Sequence, residues 1–246
     1  MKIEIDETLP DNIYKFTNAE RAIGILKNQQ LWFSKPEKFN DPFDCNINLI
    51  DFEPNEDQIK MVINDKLRGN RKDKREEIRK NKKNAYRIKK QFVEQSNEMF
   101  QNSGVCCFSE RKDNILLWGH YADNHKGICL KFSNEISNIA TIAAKVKYKD
   151  KYEKASFFNE KGNAVYHLIF TKSKDWAYEK EIRLIRILDY GKTNFQIEHL
   201  CEIIFGCKTE KSVITRMKKL VAGLEMKHIK FTQAKQTKSS FELNFE

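Results

Sequence analysis

Apolar positions along the chain come in short runs divided by turn residues, and their spacing switches between a period of two and one of about 3.6. Ile13-Tyr14-Lys15-Phe16 reads as a strand, and Thr17 or Asn18 can cap a helix whose apolar face is Ala22, Ile23, Ile25 and Leu26. Leu31-Trp32-Phe33-Ser34 returns as a strand, so residues 11–34 predict strand, helix, strand. Phe39 to Asp44 is loop chemistry, with Pro42 biasing Asp41 away from helix. Residues 55–101 predict one or two helices: Ile59, Met61, Val62 and Ile63 come before a polar stretch, and Phe92, Val93, Met99 and Phe100 after it. Gly69-Asn70 is the expected break, giving a protruding hairpin.

From Gly104 the pattern turns β-rich. Strands are expected at 105–109, 128–132 and 144–148, with a short helical piece from Asn114 to Tyr121 between the first two. Gly127 precedes a strand and suits a turn that needs positive φ. A helix is expected over 157–171, and Glu181 to Leu188 alternates most cleanly as a strand. The tail predicts a strand (200–205), a turn at Gly206, a helix (210–224) and two strands (228–231 and 241–245). Together these elements predict an α+β fold, one domain spanning 1–246 with a helical insertion at about 55–101.

Composition narrows the class. An apolar fraction of 40% with 17 Phe suits a packed globule. No apolar run approaches the ~20 residues that span a bilayer, and Met1 to Asp6 lacks the stretch of a secretion signal. The expectation is a cytoplasmic protein with no membrane partner. None of the six cysteines forms a C-x-x-C pair or has a histidine at zinc-ligand spacing, so reduced structural thiols and no metal are expected.

Charge changes the picture more. The chain carries +10, and the segment Lys66–Lys90 holds thirteen Lys or Arg against Asp73, Glu76 and Glu77, which is +10 by itself. The remainder balances, so the excess belongs to one module. Arg71, Lys72, Arg75, Arg79, Lys82, Lys83 and Arg87, with Tyr86 and Phe92 nearby, are candidate phosphate contacts for RNA or single-stranded DNA. An acidic protein, such as an antitoxin, is the competing partner.

Three further constellations carry candidate chemistry. Tyr178-Glu179-Lys180-Glu181 opens the strongest strand, and an E-x-E there puts two carboxylates on one face. Such a pair can stabilise an oxocarbenium-like transition state and polarise an acceptor; the plain alternative is a solvated charged edge. Trp118 to Gly127 contains His120, Tyr121, Asp123 and His125, but histidines five apart do not share a helix face, which favours packing over metal binding. Asn40, Asp41 and Asp44 can fix a ribose or simply build Asx turns.

Tyr14-Lys15-Phe16, Leu31 to Ser34, Phe39 to Asp44, Cys107 to Glu110, Trp118 to Gly127 and Trp176 to Arg183, in that order, resemble the bacterial domain-of-unknown-function family DUF2971, related to AbiGi-type abortive-infection proteins. The resemblance covers nearly the whole chain except the basic insertion. A second resemblance is to DarT-like and tRNA-phosphotransferase-like ADP-ribosyltransferases, in the strand–helix–strand opening, in Phe108-Ser109-Glu110-Arg111 and in Glu179 to Ile182. Lys15 stands where those enzymes carry a His or Arg, and Phe108-Ser109 is only part of their Ser-Thr-Ser.

That second resemblance implies a split β-sheet core with flanking helices and an NAD-dependent ADP-ribosyltransferase acting on nucleic acid, RNA before DNA, as a toxin or phage-defence effector. It implies Glu181 as the catalytic carboxylate, with Glu179 or Tyr178 assisting at the acceptor side. Tyr14, Lys15, Ser34, Asn40, Asp41, Ser109, Arg111, His120 and Tyr121 would line the NAD cleft. Two other functions remain open: a non-enzymatic nucleic-acid- or partner-binding module, and a metal-dependent nuclease built on Asp41, Asp44, His120 and Glu181.

Overall fold

A computed structural model of the chain describes residues 8–58, 60, 71–82, 85–158 and 163–246. Its centre is an eight-stranded mixed sheet with helices on both faces. The strands are β1 (Asn12–Thr17), β3 (Gly104–Ser109), β4 (Ile128–Ser133), β5 (Ile142–Lys145), β8 (Glu181–Arg186), β10 (Leu200–Phe205), β11 (Lys230–Gln236) and β12 (Leu243–Phe245). Their order across the sheet is β12, β11, β10, β4, β1, β3, β8, β5. Two small sheets stand apart, one pairing β2 (Gln30–Phe33) with β9 (Gly191–Asn194), the other β6 (Lys147–Lys149) with β7 (Thr171–Ser173).

The hydrophobic pattern explains the layers. Strand alternation sends Ile13, Cys106, Phe108, Leu130, Ile182, Leu184 and Ile203 to one face. There they meet helix α1 (Ala19–Asn28), helix α6 (Lys211–Gly223) and the Leu31 and Phe33 side chains of β2. Of the two expected caps for α1 it is Asn18 that acts, accepting the Arg21 amide, and Gln29 ends the helix at φ 50.

The opposite face is not one core but two. Over β3, β8 and β5, Val105, Ile185 and Ala144 pack with helix α3 (Ala85–Gln101), helix α5 (Asn163–Ile169) and the loop carrying Cys45, Ile50 and Phe52. Over β1, β4, β10, β11 and β12, a separate cluster gathers around Trp118 of helix α4 (Ile115–Tyr121), whose ring meets Phe16 edge-on. The join between these halves is narrow. β1 and β4 share six register pairs, whereas β1 and β3 share one, Tyr14 with Ser109.

Several expectations need correction. The strand expected at 144–148 is two strands in different sheets. Val146 breaks the alternation by giving its amide to the Glu181 carbonyl while Lys147 turns to Phe170. The helix expected over 157–171 is, in its described part, Asn163–Ile169, because the Phe157 amide is taken by Asp51 in a bridge to the 50s loop. Leu188 lies past the end of β8, at φ 56. Gly127 does not have positive φ; Asp123, Asn124 and His125 take the left-handed turn instead. A Cβ at Gly127 would sit 2.4 Å from the Thr17 carbonyl, so close backbone approach is what calls for glycine there.

Among its described residues the insertion includes the helices α2 (Arg71–Lys82) and α3, with further helical residues at 56–58 and 60. The break expected at Gly69-Asn70 lies outside the described residues, as do Ile59, Met61, Val62 and Ile63. No helix among the described residues is long and apolar enough to cross a membrane.

Candidate functional site

A row of polar residues crosses the narrow join. Glu202 of β10 pairs in register with Lys131 of β4, Lys131 with Tyr14 of β1, Tyr14 with Ser109 of β3, and Ser109 with Glu181 of β8. Directly opposed residues lie on the same face of a sheet, so these five side chains form one line between the two apolar clusters. The β10 end is self-contained: Glu202 accepts from the Thr232 hydroxyl and lies 3.9 Å from the Lys131 ammonium. The β8 end opens into a buried ionic network.

Arg183, fully buried, is the hub of that network. Its guanidinium makes two bonds to Asp44, at 2.8 and 2.6 Å, and two to Glu181, at 2.9 and 3.0 Å. Lys172 bonds Glu179 at 2.6 Å and Glu181 at 3.3 Å, and lies 3.8 Å from Asp44. The Tyr121 hydroxyl donates to the second oxygen of Glu179 at 2.7 Å, and the Tyr148 hydroxyl accepts the Glu181 amide at 2.8 Å. Three carboxylates thus face two cations, so the assembly carries one net negative charge. Geometry of this quality is what lets charges stay inside at all, since removing them from water costs several kcal/mol each.

The electrostatics follow. Burial alone would push the Glu181 carboxyl up, but Arg183 and Lys172 more than offset this and hold it at about 2. Burial opposes the Lys172 charge, and Glu181 with Glu179 outweighs it, so the ammonium is firmly protonated. Burial, then Glu179, raises the Tyr121 hydroxyl. Burial raises the thiols of Cys45 and Cys107, which are therefore not activated nucleophiles.

The E-x-E lies differently from the alternating strand the pattern suggested. Glu179 closes a 3-10 turn (Lys174–Glu179), Lys180 is left-handed at φ 45, and only Glu181 is in β8. Both carboxylates are nonetheless buried and meet at Lys172; neither is a solvated edge. Above them, Tyr178 lies between His120 and Trp176, at ring separations of 6.4 and 6.1 Å, and His120 faces Tyr121 at 6.3 Å. Asn114 ties this turn to α4 by bonding the Tyr178 carbonyl while capping the helix.

Not every candidate joins the group. Tyr14, Ser109, Glu179, Glu181 and Tyr121 are brought together, and Ser109 spends its hydroxyl on the Glu179 carbonyl at 2.6 Å. Lys15 leaves Tyr14's side of the strand: its ammonium bonds the Cys107 carbonyl and lies over Phe108. Arg111 is exposed and bound at both ends to Asp113. Ser34 bridges Val105, four residues along β3 from Ser109 and so roughly 13 Å away. Asn40 is exposed, and Asp41 turns an oxygen to the Phe43 amide, the Asx geometry expected of such a loop. Asp44 and Glu181 are bridged by the Arg183 guanidinium.

Arg183 and Lys172 are the functional residues least visible in the sequence. Arg183 looked like the polar beat of an alternating strand, and Lys172 sits in Thr171-Lys172-Ser173 with nothing nearby to mark it as buried. Of the basic module, the side chains of Lys72, Arg75 and Arg79 on α2 are exposed. Lys83 and the side chains of Arg71, Lys82, Tyr86 and Arg87 lie outside the described residues.

Residues 117–184 match the family model of DUF2971, a protein of unknown function. The match supports the family assignment drawn from the motifs, two of which, Trp118 to Gly127 and Trp176 to Arg183, lie wholly inside it. Tyr121, Lys172, Glu179, Glu181 and Arg183 fall within the matched segment; Tyr14, Ser109, Asp44 and the basic helices do not. No curated protein and no solved structure matches the chain.

Proposed function

We propose that this chain, matched to DUF2971 over residues 117–184, transfers ADP-ribose from NAD to nucleic acid, RNA before DNA, as a toxin or phage-defence effector. One observation carries the reading. The three strands that resemble the cleft, serine and glutamate strands of ADP-ribosyltransferases are immediate neighbours, and Tyr14, Ser109 and Glu181 stand in register across them. They do so where the sheet is held by one pair, between two separate apolar clusters.

The residues fit the nicotinamide riboside end of NAD. An ionised carboxylate at Glu181, beside Glu179 and the aromatic group that Tyr121 joins to Glu179, suits a cationic ring and positive charge growing on the ribose carbon. The diphosphate would take Arg111 from Asp113, an exposed pair of the kind that is worth little. NAD supplies the group: its glycosidic bond breaks, nicotinamide leaves with the electron pair, and an acceptor atom on the nucleic acid bonds the ribose carbon and loses its proton. Glu179 and Tyr178 act on the acceptor side, and Lys172 with Arg183 fixes where the carboxylates stand.

The test is transfer of labelled NAD to total RNA, single-stranded DNA or cell protein by wild type, Glu181→Gln and Tyr14→Phe, with circular dichroism as the folding control. Label on nucleic acid from wild type, reduced at least 100-fold by folded Glu181→Gln, is the expected outcome. No label and no NAD binding by calorimetry would sink the reading in favour of a non-enzymatic binding module, for which the confined basic charge would be the support.

A further inference from the structure

Beside the network is a cleft of about 150 Å³ that the row of polar residues does not include. Its floor is shared with the network, because Lys172 and Asp44 line both. Its rim comes from two places: the loop bearing Asp41 and Phe43, and the Lys149–Tyr152 segment that follows β6. Three features of this wall are chemically unusual together. Phe43 is 70% exposed, although it sits in a loop whose neighbours Asp41, Asp44 and Cys45 are buried. Lys149 and Lys151 line the opening together with Asp150, while the Lys172 ammonium at its floor is taken up by Glu179 and Glu181. Asp41 gives one carboxylate oxygen to the Phe43 amide, which fixes the turn that holds the Phe43 ring outward.

The position of this cleft in the fold adds the second half of the argument. The loop that lines it continues into the segment on which the basic helices are mounted. Phe52 and Phe92 both stack on Phe157, at 5.1 and 5.3 Å, and the Lys89 ammonium is paired with Glu53. On the other side, the Lys172 ammonium is 3.3 Å from Glu181. The cleft is therefore joined to the buried carboxylates through Lys172, and through the loop of residues 41–53 to the residues that pack against α3. An exposed aromatic ring next to lysines is the surface that single-stranded nucleic acid uses, since every base has a face to stack while ammonium groups follow the phosphates. A base locked in a duplex offers no such face.

We infer that this cleft receives one unpaired nucleotide of a single strand, the base stacking on Phe43 and its phosphates meeting Lys149 and Lys151. The inference rests on the reading of the protein as acting on nucleic acid and names the acceptor's place in it: the nucleotide is held one side chain, Lys172, away from Glu181.

The experiment is fluorescence anisotropy without NAD, titrating wild type, Phe43→Ala and Lys151→Glu into a labelled single-stranded oligoribonucleotide and into the same sequence as a duplex. Phe43 is exposed, so its replacement leaves the fold intact. Phe43→Ala is expected to weaken single-strand binding about 10-fold and leave duplex binding unchanged. Lys151→Glu is expected to lower the salt slope of single-strand binding by about one. Single-strand binding equal to wild type in Phe43→Ala, or equal losses on single strand and duplex, would overturn the inference. The result is independent of the transfer assay. Phe43-dependent binding without transfer keeps the cleft and removes the enzyme; transfer to RNA unaffected by Phe43→Ala does the reverse.

Discussion

Two regions hold most of this protein's notable charge, and they are opposites. The network around Arg183 buries three carboxylates and two cations nearly completely, with hydrogen-bonded partners on every group. The segment Lys66–Lys90 carries the whole net excess, and the described cationic side chains of α2 are exposed. Buried charge is selected by its partners: each ion is there because another holds it, and geometry decides the outcome. Exposed like charge is tolerated because solvent screens it. The first region is buried architecture; the second is an exposed charged surface.

The largest expected effect comes from breaking the first region. Arg183→Met leaves Asp44 and Glu181 buried without their guanidinium, and should cost about 3–5 kcal/mol in urea unfolding. A loss below about 1 kcal/mol would mean that water reaches the network and solvates the carboxylates in place of the guanidinium.

Acid provides a milder way to the same place. Glu181 is held at about 2 when folded, against 4.5 for an unperturbed carboxyl. Its contribution is therefore complete above roughly pH 4.5 and is lost as pH falls toward 2, by up to about 3 kcal/mol. Unfolding free energies measured between pH 6 and 2.5 should decline through that window. Glu181→Gln, if folded, should flatten the decline.

The smallest effect on stability belongs to the other region. Lys72→Glu, Arg75→Glu and Arg79→Glu on α2 should each shift stability by no more than about 0.5 kcal/mol. The triple variant should nonetheless lower the salt slope of RNA binding by about three. Equal salt slopes for wild type and triple variant would leave the basic helices without a nucleic-acid role and favour an acidic protein partner.

The sequence was legible where one periodicity governs one layer. Ile13 to Phe16, Ala22 to Leu26 and Val105 to Ser109 became the elements their patterns predicted, because their side chains need only distinguish an inner face from an outer one. Glu179 and Glu181 were singled out for a strand that begins two residues too late to contain the first. They meet through Lys172 instead. Reading failed at 144–148 as well, where clean alternation concealed a change of sheet at Val146 that depends on where Glu181 and Phe170 come to lie.

What the sequence determined by itself is the elements ruled by one clean periodicity, the α+β class and the confinement of net charge to one insertion, since each depends on neighbours along the chain. What tertiary structure decided is which polar residues share a place. Asp44 and Arg183 are 139 positions apart, and Tyr14 and Glu181 are further apart still, yet they belong to one buried assembly and one row across the sheet. Strand order creates both relations, and no local pattern encodes it, because a lysine or arginine on its way to a buried carboxylate looks along the chain the same as one on its way to water.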